Sequence, residues 1–253
     1  MTGQSLCIFT ALIAHLFVLS MLSPAKNVSD RLSRRDREIQ YKRLEILEAA
    51  QEVFAEKGYQ QATLEEIANR AEFGKGTLYN YYPSGKQEIL LAIFERLYGQ
   101  LCELIGSTFN ESPEKPFTEQ LHSFFDHTFS FFLQKLDLFV ILIREAHRIG
   151  VGEDPSPQAF FIQQRNRAIE ALSVPIQRAI DNGEISTTSA SFLAHIIMVN
   201  VNGCQMKACN LFSEQDTDSP KSAAEMADFL TQLICNGVAK KPDTVSESLR
   251  RSL

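Results

Sequence analysis

Residues 63–90 read TLEEIANRAEFGKGTLYNYYPSGKQEIL, and this stretch decides the fold. Thr63, followed three residues later by Glu66, has the spacing of a capping box, in which each side chain satisfies a free backbone N–H of the other residue. Ile67 and Ala71 lie four residues apart, which places them on one buried helix face. The stretch therefore predicts a short amphipathic helix that begins directly after Thr63.

A second short helix follows after a tight break. Phe73 and Gly74 interrupt the first helix, and Gly74 can serve as the N-cap of the next one. Leu78 is the expected buried anchor of this second helix, and Pro83 marks its end. Two short helices joined by a tight turn form a helix-turn-helix, whose second helix enters the major groove of DNA.

A longer segment around this motif resembles a known protein family. Residues 49–94, AAQEVFAEKGYQQATLEEIANRAEFGKGTLYNYYPSGKQEILLAIF, are similar to the DNA-binding region of the TetR (tetracycline-repressor-like) family of transcriptional regulators. The resemblance lies in VFAEKGY, TLEEIANRA, GKGTLYNYY and a lysine that precedes an apolar helix. Two positions depart from the usual pattern. Gly74 stands where the family often has serine, and Gly85 resembles a one-residue insertion before Lys86.

The resemblance implies a set of DNA contacts in and beside the second helix. They are Thr63, Lys75, Gly76, Thr77, Tyr79, Asn80, Tyr81 and Lys86. Asn80 and Tyr81 occupy variable positions in such proteins, so we expect them to discriminate between base sequences. Gly76 lacks a side chain, which would let the backbone approach a phosphate closely.

Some of these residues also have a purely structural interpretation. Tyr79 and Tyr82 could pack between helices, because aromatic residues at helical spacing are often core residues. Thr63 could serve only as a cap. Lys75 and Thr77 have less to do in such an interpretation, since a short exposed helix needs neither of them.

The formal net charge of -6 does not by itself indicate a nucleic-acid partner, because a negative chain opposes nonspecific attraction to phosphates. The basic residues are unevenly placed, however. A cluster precedes the motif and comprises Arg31, Arg34, Arg35, Arg37, Lys42 and Arg43. These residues could form a flexible arm that follows the DNA backbone or enters a minor groove, or they could be a solvated helix start.

The rest of the chain has the periodicity of helices, and no stretch alternates like a strand for long. A helix from about Ile39 to Lys57, with Gly58 as its C-cap, completes a three-helix domain. Further helices are predicted over 84–105, 117–135, 138–149, 157–182, 188–212 and 220–239. The predicted fold is all-α, with an N-terminal three-helix helix-turn-helix domain followed by a C-terminal helical ligand-binding and dimerisation domain. The predicted boundaries are 1–30 for an apolar segment and linker, 31–101 and 102–240 for the two domains, and 241–253 for a disordered tail.

The C-terminal region concentrates phenylalanines in neighbouring predicted helices. Most of them should form its core, but some could line an apolar cavity. In a TetR-like protein an effector binds there, so the resemblance implies an unknown small-molecule effector. The expected pocket residues are Phe125, Phe129, Phe132, His127, Arg144, His147 and Phe161. The polar members could orient a ligand, although a paired buried histidine or an exposed ion pair would explain them equally well.

The last two predicted helices carry extensive small and apolar faces. These include Ala194, Ile197, Met198, Val201, Gly203, Ala208, Ala223, Ala224, Ala227, Leu230, Leu233 and Ile234. The resemblance implies that the two helices pack against the same pair of a second subunit and form a four-helix homodimer interface, which a two-fold symmetric operator would require. Packing within one chain alone is the alternative.

No pattern of catalytic residues competes with this interpretation, because the chain lacks a nucleophile elbow and a metal-ligand pattern, and its GKG is not a phosphate loop. We therefore expect no enzyme activity, no metal and no cofactor. The five cysteines lack the spacing of a metal site or a disulfide framework, so reduced thiols are expected. Cys204 and Cys209 raise a redox-sensing hypothesis, but small buried residues at a helix interface explain them better.

Residues 6–22 are almost wholly apolar. The stretch is at the short limit for spanning a bilayer, and it lacks the positive start of a secretory signal. We prefer a translation start at Met21. A membrane tether, with the basic residues after Lys26 on the cytoplasmic side, ranks second, and a cleaved signal ranks last. A cytoplasmic location is expected, with a membrane partner only through residues 6–22.

These patterns predict a ligand-responsive DNA-binding transcriptional regulator, a repressor rather than an activator, that binds a palindromic operator in double-stranded DNA as a homodimer. A small apolar effector would favour a dimer whose two recognition helices are mis-spaced for successive major grooves. The alternative from another class is a membrane-associated helical small-molecule sensor or carrier whose helix-turn-helix is only scaffold.

Overall fold

The computed structural model describes residues 33–111, 113–150, 155–186, 189–209 and 222–236. These residues form α-helices and contain no strand, so the all-α prediction is confirmed. The helices are α1 (Arg34–Gln61), α2 (Leu64–Arg70), α3 (Lys75–Tyr81), α4 (Lys86–Asn110), α5 (Phe117–Gln134), α6 (Leu136–Gly150), α7 (Pro155–Asp181), α8 (Ala190–Ala208) and α9 (Ala223–Asn236).

The chain divides into two compact units. The first ends at Gln100 and the second begins at Leu101, so the division falls inside helix α4. The first unit contains the helix-turn-helix, and the second contains the phenylalanine-rich helices and the last two helices.

Helix α1 begins earlier than the predicted Ile39 because Ser33 caps it. The Ser33 hydroxyl accepts a hydrogen bond from the backbone N–H of Asp36 at 3.2 Å, which is the geometry of an N-cap. The basic residues from Arg34 onward are therefore helical, and the first turns of the helix are exposed. The prediction of a flexible arm is wrong for these residues, and Arg31 lies outside the described residues.

The core of the first unit forms where the apolar faces of α1, α2 and α3 meet. Its fully buried side chains include Ile46, Ala50, Phe54, Ile67, Leu78 and Tyr82. Gly58 ends the regular part of α1 with a φ of 77°, as expected for a C-cap glycine, and the helix kinks there before it ends at Gln61. Tyr59 packs edge-on against Phe54 with 5.3 Å between ring centroids. The first unit is therefore closed at the end of α1 by an aromatic contact.

The second unit is packed largely by phenylalanine rings. Helix α9 lies mainly against α5, and helix α8 lies mainly against α7. A chain of ring contacts runs through this core, with centroid distances of 5.9 Å for Phe109–Phe117, 6.1 Å for Phe109–Phe124, 5.7 Å for Phe124–Phe125 and 6.3 Å for Phe125–Phe129. The prediction that most of these phenylalanines are core residues agrees with this packing.

Polar side chains close the helix ends of the second unit. Arg178 of α7 donates to the Phe109 carbonyl and to the Asn110 side chain, both at 3.2 Å, and so satisfies the end of α4. Glu184 accepts from the Phe117 backbone N–H at 2.7 Å at the start of α5. Both contacts satisfy backbone groups that a helix leaves free.

Several predictions concern residues outside the described part of the chain. They are the apolar segment 6–22 within residues 1–30, the start at Met21, and the tail at 241–253. Among the residues that the structure describes, no helix combines the length and apolar character needed to cross a bilayer.

Candidate functional site

The start of α2 has the predicted capping box. The Thr63 hydroxyl accepts from the Glu66 backbone N–H at 3.2 Å, and the Thr63 backbone N–H donates to the Glu66 carboxylate at 3.0 Å. The hydrogen bond from Lys57, together with those from Thr63, holds the pKa of Glu66 at about 2. Thr63 thus has a structural role, and because its side chain is exposed its DNA contact stays a prediction.

The turn between α2 and α3 is a Schellman motif. Phe73 donates its backbone N–H to the Ala68 carbonyl at 2.8 Å, and Glu72 donates to the Asn69 carbonyl at 3.2 Å. Glu72 takes the left-handed position with a φ of 58°, where a glycine is the usual residue. The motif ends α2 sharply and sets the direction in which α3 starts.

Helix α3 presents one polar face outward. Lys75, Gly76, Tyr79 and Asn80 are exposed, and Thr77 and Tyr81 are half-buried. Leu78 is fully buried, as predicted, and so is Tyr82 directly after the helix. Tyr79 and Tyr82 therefore differ in their environment. Tyr79 is 43% exposed, whereas Tyr82 packs in the core, as the structural interpretation predicts. The predicted contact residues that belong to α3 therefore lie on or beside this face.

Gly76 has no steric reason to be glycine in the free protein. A Cβ added at this position would meet no atom within 4 Å. The open space is consistent with the predicted close approach of a phosphate, which a side chain would obstruct.

Lys75 has a nearby carboxylate. Its ammonium lies 3.9 Å from the Glu65 carboxylate of α2, and both side chains are more than half exposed. Such a surface pair contributes little to stability, so it leaves Lys75 available for another anion.

Lys86 has a different environment from the one predicted. Its ammonium donates to the carbonyls of Tyr59 (2.7 Å), Gln60 (3.1 Å) and Ala62 (2.8 Å), and it lies 4.6 Å from the centre of the Tyr59 ring. An ammonium group has three donors, and here all three point at the end of α1. The predicted phosphate contact of Lys86 is therefore corrected, because the side chain is a structural tie inside the first unit.

Gly85 accounts for the apparent insertion before Lys86. It has a φ of 72°, and a Cβ at this position would come within 3.3 Å of a Leu64 methyl group. The extra residue completes a turn in which the Gly85 N–H donates to the Tyr82 carbonyl at 2.9 Å. Only glycine fits this turn without strain, and the turn delivers Lys86 to the end of α1.

Two arginines of the first unit make contacts that the sequence did not reveal. Arg70 donates to Glu52 and Glu56 at 2.8 to 2.9 Å and joins α2 to α1. Arg43 of α1 donates to the Tyr81 carbonyl at 3.3 Å, at the end of α3. The glutamates at 52 and 56 are one turn apart, which is a signal that could have identified the Arg70 pairing. No local pattern indicates the Arg43 contact.

The predicted effector residues do not form one cluster. Phe125, Phe129 and Phe132 are fully buried, and Phe161 is half-buried. The polar members, His127, Arg144 and His147, are instead exposed. The prediction that these three line an apolar interior disagrees with their placement in the single chain.

The phase of the helices explains this correction. The buried positions of α6 are Leu138, Leu142, Glu145 and Ile149. Arg144 and His147 are one or two residues away from these buried positions and so point off the buried face of α6. On α5, His127 lies opposite the face that carries the phenylalanines. The buried polar residue of α6 is Glu145, which accepts from Arg148 at 2.6 Å. The spacing of four and then three residues between Leu138, Leu142 and Glu145 could have revealed it.

The described cysteines are free thiols. Burial raises the pKa of Cys204 and Cys209, whereas a redox-sensing thiol needs a lowered pKa to be reactive. The redox hypothesis therefore finds no support in their surroundings. Within the described ranges, no group of three or more histidine, cysteine, aspartate or glutamate side chains could hold a metal ion.

The last two helices expose a different apolar face from the one predicted for the dimer interface. Ala194, Ile197, Met198 and Val201 of α8 and Ala227 and Leu230 of α9 are buried within the chain. The large exposed apolar residues of these helices are Phe192, Val199 and Phe229. Phe192 and Val199 lie seven residues apart and so share one face of α8.

Comparison with known proteins agrees with the helix-turn-helix geometry. Residues 46–93 match the family described as bacterial regulatory proteins, tetR family. The fold is similar to that of the transcriptional regulator FadR from Bacillus subtilis, solved in complex with stearoyl-CoA, with a TM-score of 0.63, 21% identity and coverage of 78% of this chain and 99% of that one. The helix-turn-helix segment of this chain matches the tetR family.

Two proteins that this chain resembles in sequence have descriptive names. The fatty acid metabolism regulator protein of Bacillus subtilis is 37% identical over 70 residues, which are 28% of this chain and 36% of that protein. The HTH-type transcriptional repressor KstR2 of Mycobacterium tuberculosis is 26% identical over 150 residues, which are 58% of this chain and 70% of that protein. The chain thus spans about a third of the first relative. By their names, the first relative is a regulator of fatty acid metabolism and the second is a transcriptional repressor.

Proposed function

We propose that this protein is a transcriptional repressor that binds a palindromic operator in double-stranded DNA. The observation that carries the proposal is the outer face of α3, where Lys75, Tyr79 and Asn80 are exposed while Leu78 anchors the helix in the core. A lysine supplies a phosphate contact, and an asparagine can bond bidentately to adenine in the major groove. Thr63, Gly76, Thr77 and Tyr81 complete the proposed contact surface, and the sign of regulation follows the repressor KstR2.

The protein would act as a homodimer. A single helix-turn-helix of a chain with a net charge of -6 has little nonspecific attraction to DNA, so two linked copies are needed to bind an operator tightly. Phe192, Val199 and Phe229 offer an apolar surface on α8 and α9 that one chain leaves uncovered. Because a two-fold interface uses the same patch on both subunits, this surface fits a second copy of the chain.

The effector would be a fatty-acyl compound. The FadR structure named above holds stearoyl-CoA, and the second unit of this chain has a long core of phenylalanine rings suited to an acyl chain. These rings are fully buried, so a ligand that enters between them must displace them. Ligand binding would therefore favour a second state of the unit, and operator affinity would fall if that state spaces the two recognition helices badly.

Selection from random double-stranded DNA by the full-length chain tests DNA binding. We expect a palindrome whose half-sites lie one helical turn or a multiple of it apart. Thr77→Ala and Tyr79→Ala should abolish operator binding with unchanged dimerisation and thermal stability, whereas Glu95→Gln, an exposed change on α4, should leave binding intact. If a folded dimer selects no site, the proposal is wrong.

Sedimentation tests the dimer surface. The double variant Phe192→Asp/Phe229→Asp should shift the protein from dimer to monomer, because each added charge would be buried against the partner. Ile162→Asp is the matched control, since Ile162 is an exposed apolar residue of α7 outside the proposed surface. A dimer that persists in the double variant and dissociates in the control would place the interface elsewhere.

Acyl-CoA titration tests the effector. Stearoyl-CoA should release the operator at concentrations at which free CoA does not. Equal release by both compounds would mean that the acyl chain is not recognised, and release by neither would contradict a fatty-acyl effector of this length.

A further inference from the structure

Helix α3 cannot hold its own position. It is seven residues long, Gly74 gives it no side-chain cap, and its last turn carries no basic residue. Helices this short are unstable alone in water, and the free carbonyls at their ends need partners. The position of the outer face that would read DNA therefore depends on contacts from other elements.

Arg43 of α1 supplies these contacts at the carboxyl end of α3. Its guanidinium donates to the Tyr81 carbonyl at 3.3 Å, and its Cζ atom lies 4.7 Å from the centre of the Tyr82 ring. In return, the Tyr82 hydroxyl donates to the Arg43 backbone carbonyl at 3.3 Å. Tyr82 is fully buried, so the stacked arginine rests on a fixed surface. The two elements are thus joined in both directions.

The contacts suit an arginine and not a lysine. A planar guanidinium can stack on a ring and donate to a carbonyl at its edge at the same time, whereas a lysine ammonium is a compact charge on a flexible stem. The positive charge also lies at the negative end of the helix, where it is favourable. Arg43 belongs to the cluster of basic residues that could have formed an arm for DNA. Its guanidinium instead contacts the end of α3.

We propose that Arg43 is a positioning residue of the recognition helix. It fixes the carboxyl end of α3 on α1 and so holds Tyr79 and Asn80 in register with the base edges. The proposal rests on the proposed DNA-binding function, and it assigns Arg43 an effect on sequence-specific binding that does not require contact with DNA.

The test compares Arg43→Lys with Arg35→Lys, an exposed arginine near the start of the same helix. Both changes keep the charge, so nonspecific attraction to DNA is preserved. Binding is measured by fluorescence anisotropy at one salt concentration, on the selected operator and on random DNA of the same length. We expect Arg43→Lys to weaken operator binding about tenfold, which corresponds to about 1.4 kcal/mol, and to leave binding to random DNA unchanged. Arg35→Lys should leave both unchanged.

A second measurement needs no DNA and separates this proposal from the DNA-binding function. Amide hydrogen exchange reports local opening, so the Leu78–Tyr82 amides should exchange about tenfold faster in Arg43→Lys while the amides of central α1 are unaffected. Tyr82→Phe keeps the ring and removes the hydroxyl, and it should produce a smaller change in the same amides.

Each other outcome would overturn the proposal. Unchanged exchange in α3 would show that Arg43 does not position the helix, whatever the DNA results. Equal weakening on operator and random DNA would identify Arg43 as a phosphate contact. Faster exchange with unchanged operator affinity would limit Arg43 to a role in stability. A wild-type protein that selects no operator would refute the DNA-binding function, while the exchange data would still decide whether Arg43 holds α3.

Discussion

Different kinds of contact hold the helices of the two units together. In the first unit, short helices are joined by directed contacts such as those of Lys86, Arg70 and Arg43, and one face of α3 is left exposed. In the second unit, longer helices meet through a core of phenylalanine rings. The first unit thus displays its proposed binding groups on its surface, whereas the buried rings of the second would have to move to admit the proposed ligand between them.

Truncating a core ring of the second unit should have the largest effect. Phe129→Ala removes a fully buried side chain and should lower the free energy of unfolding by about 3–5 kcal/mol. Val174→Ala is the control, because Val174 is 61% exposed and its truncation should cost less than about 0.5 kcal/mol. Denaturant unfolding measures both. Similar small losses would show that the rings do not form a tightly packed core.

Two lysines of the first unit sharpen the contrast between structural and binding residues. Lys86→Gln removes the tie to three carbonyls and should lower the unfolding free energy by about 1–3 kcal/mol. Lys75→Gln removes an exposed charge and should leave stability unchanged, while the salt dependence of operator binding falls by about one unit of log–log slope. Thermal unfolding and anisotropy at several salt concentrations measure the pair. The reversed pattern would restore Lys86 as the phosphate contact.

Sequence reasoning succeeded where a signal is local. The capping box spans four consecutive residues, and the burial of Leu78 follows from its position in a seven-residue helix, so both could be predicted. The roles of Lys86 and Arg43 depend on carbonyls 24 or more residues away, which only the folded chain brings close. The sequence alone does not distinguish a lysine or arginine that binds a phosphate from one that binds the carbonyls at the end of a helix.

The second unit shows a different limit of sequence reasoning. The apolar neighbours of His127 and Arg144 in the sequence predict a pocket. However, a helix rotates by about 100° per residue, so neighbours in sequence can face opposite directions. The phase of each helix becomes certain only when its packing partner is known. For α5 the main partner is α9, which lies about a hundred residues further along the chain.

The capping box should make the first unit sensitive to acid. Thr63→Ala should cost about 1 kcal/mol, the usual value of an N-cap. The folded protein holds the pKa of Glu66 at about 2, below its ordinary value of 4.5, so the stabilisation is present above pH 4.5 and is lost as the pH falls towards 2. The difference in melting temperature between wild type and Glu66→Gln should therefore shrink over this range. A difference that stays constant would show that ionisation of Glu66 does not contribute.

The smallest expected effect is a gain in stability at the turn of the helix-turn-helix. Glu72 holds a φ of 58° at the end of α2, where an L-residue is strained and glycine is not. Glu72→Gly should raise the free energy of unfolding by about 0.5–1 kcal/mol, because the relief of strain exceeds the entropy that glycine adds to the unfolded chain. Glu72→Ala is the control, since it removes the carboxylate and keeps the strain. If alanine stabilises as much as glycine, the carboxylate and not the backbone is the source of the cost.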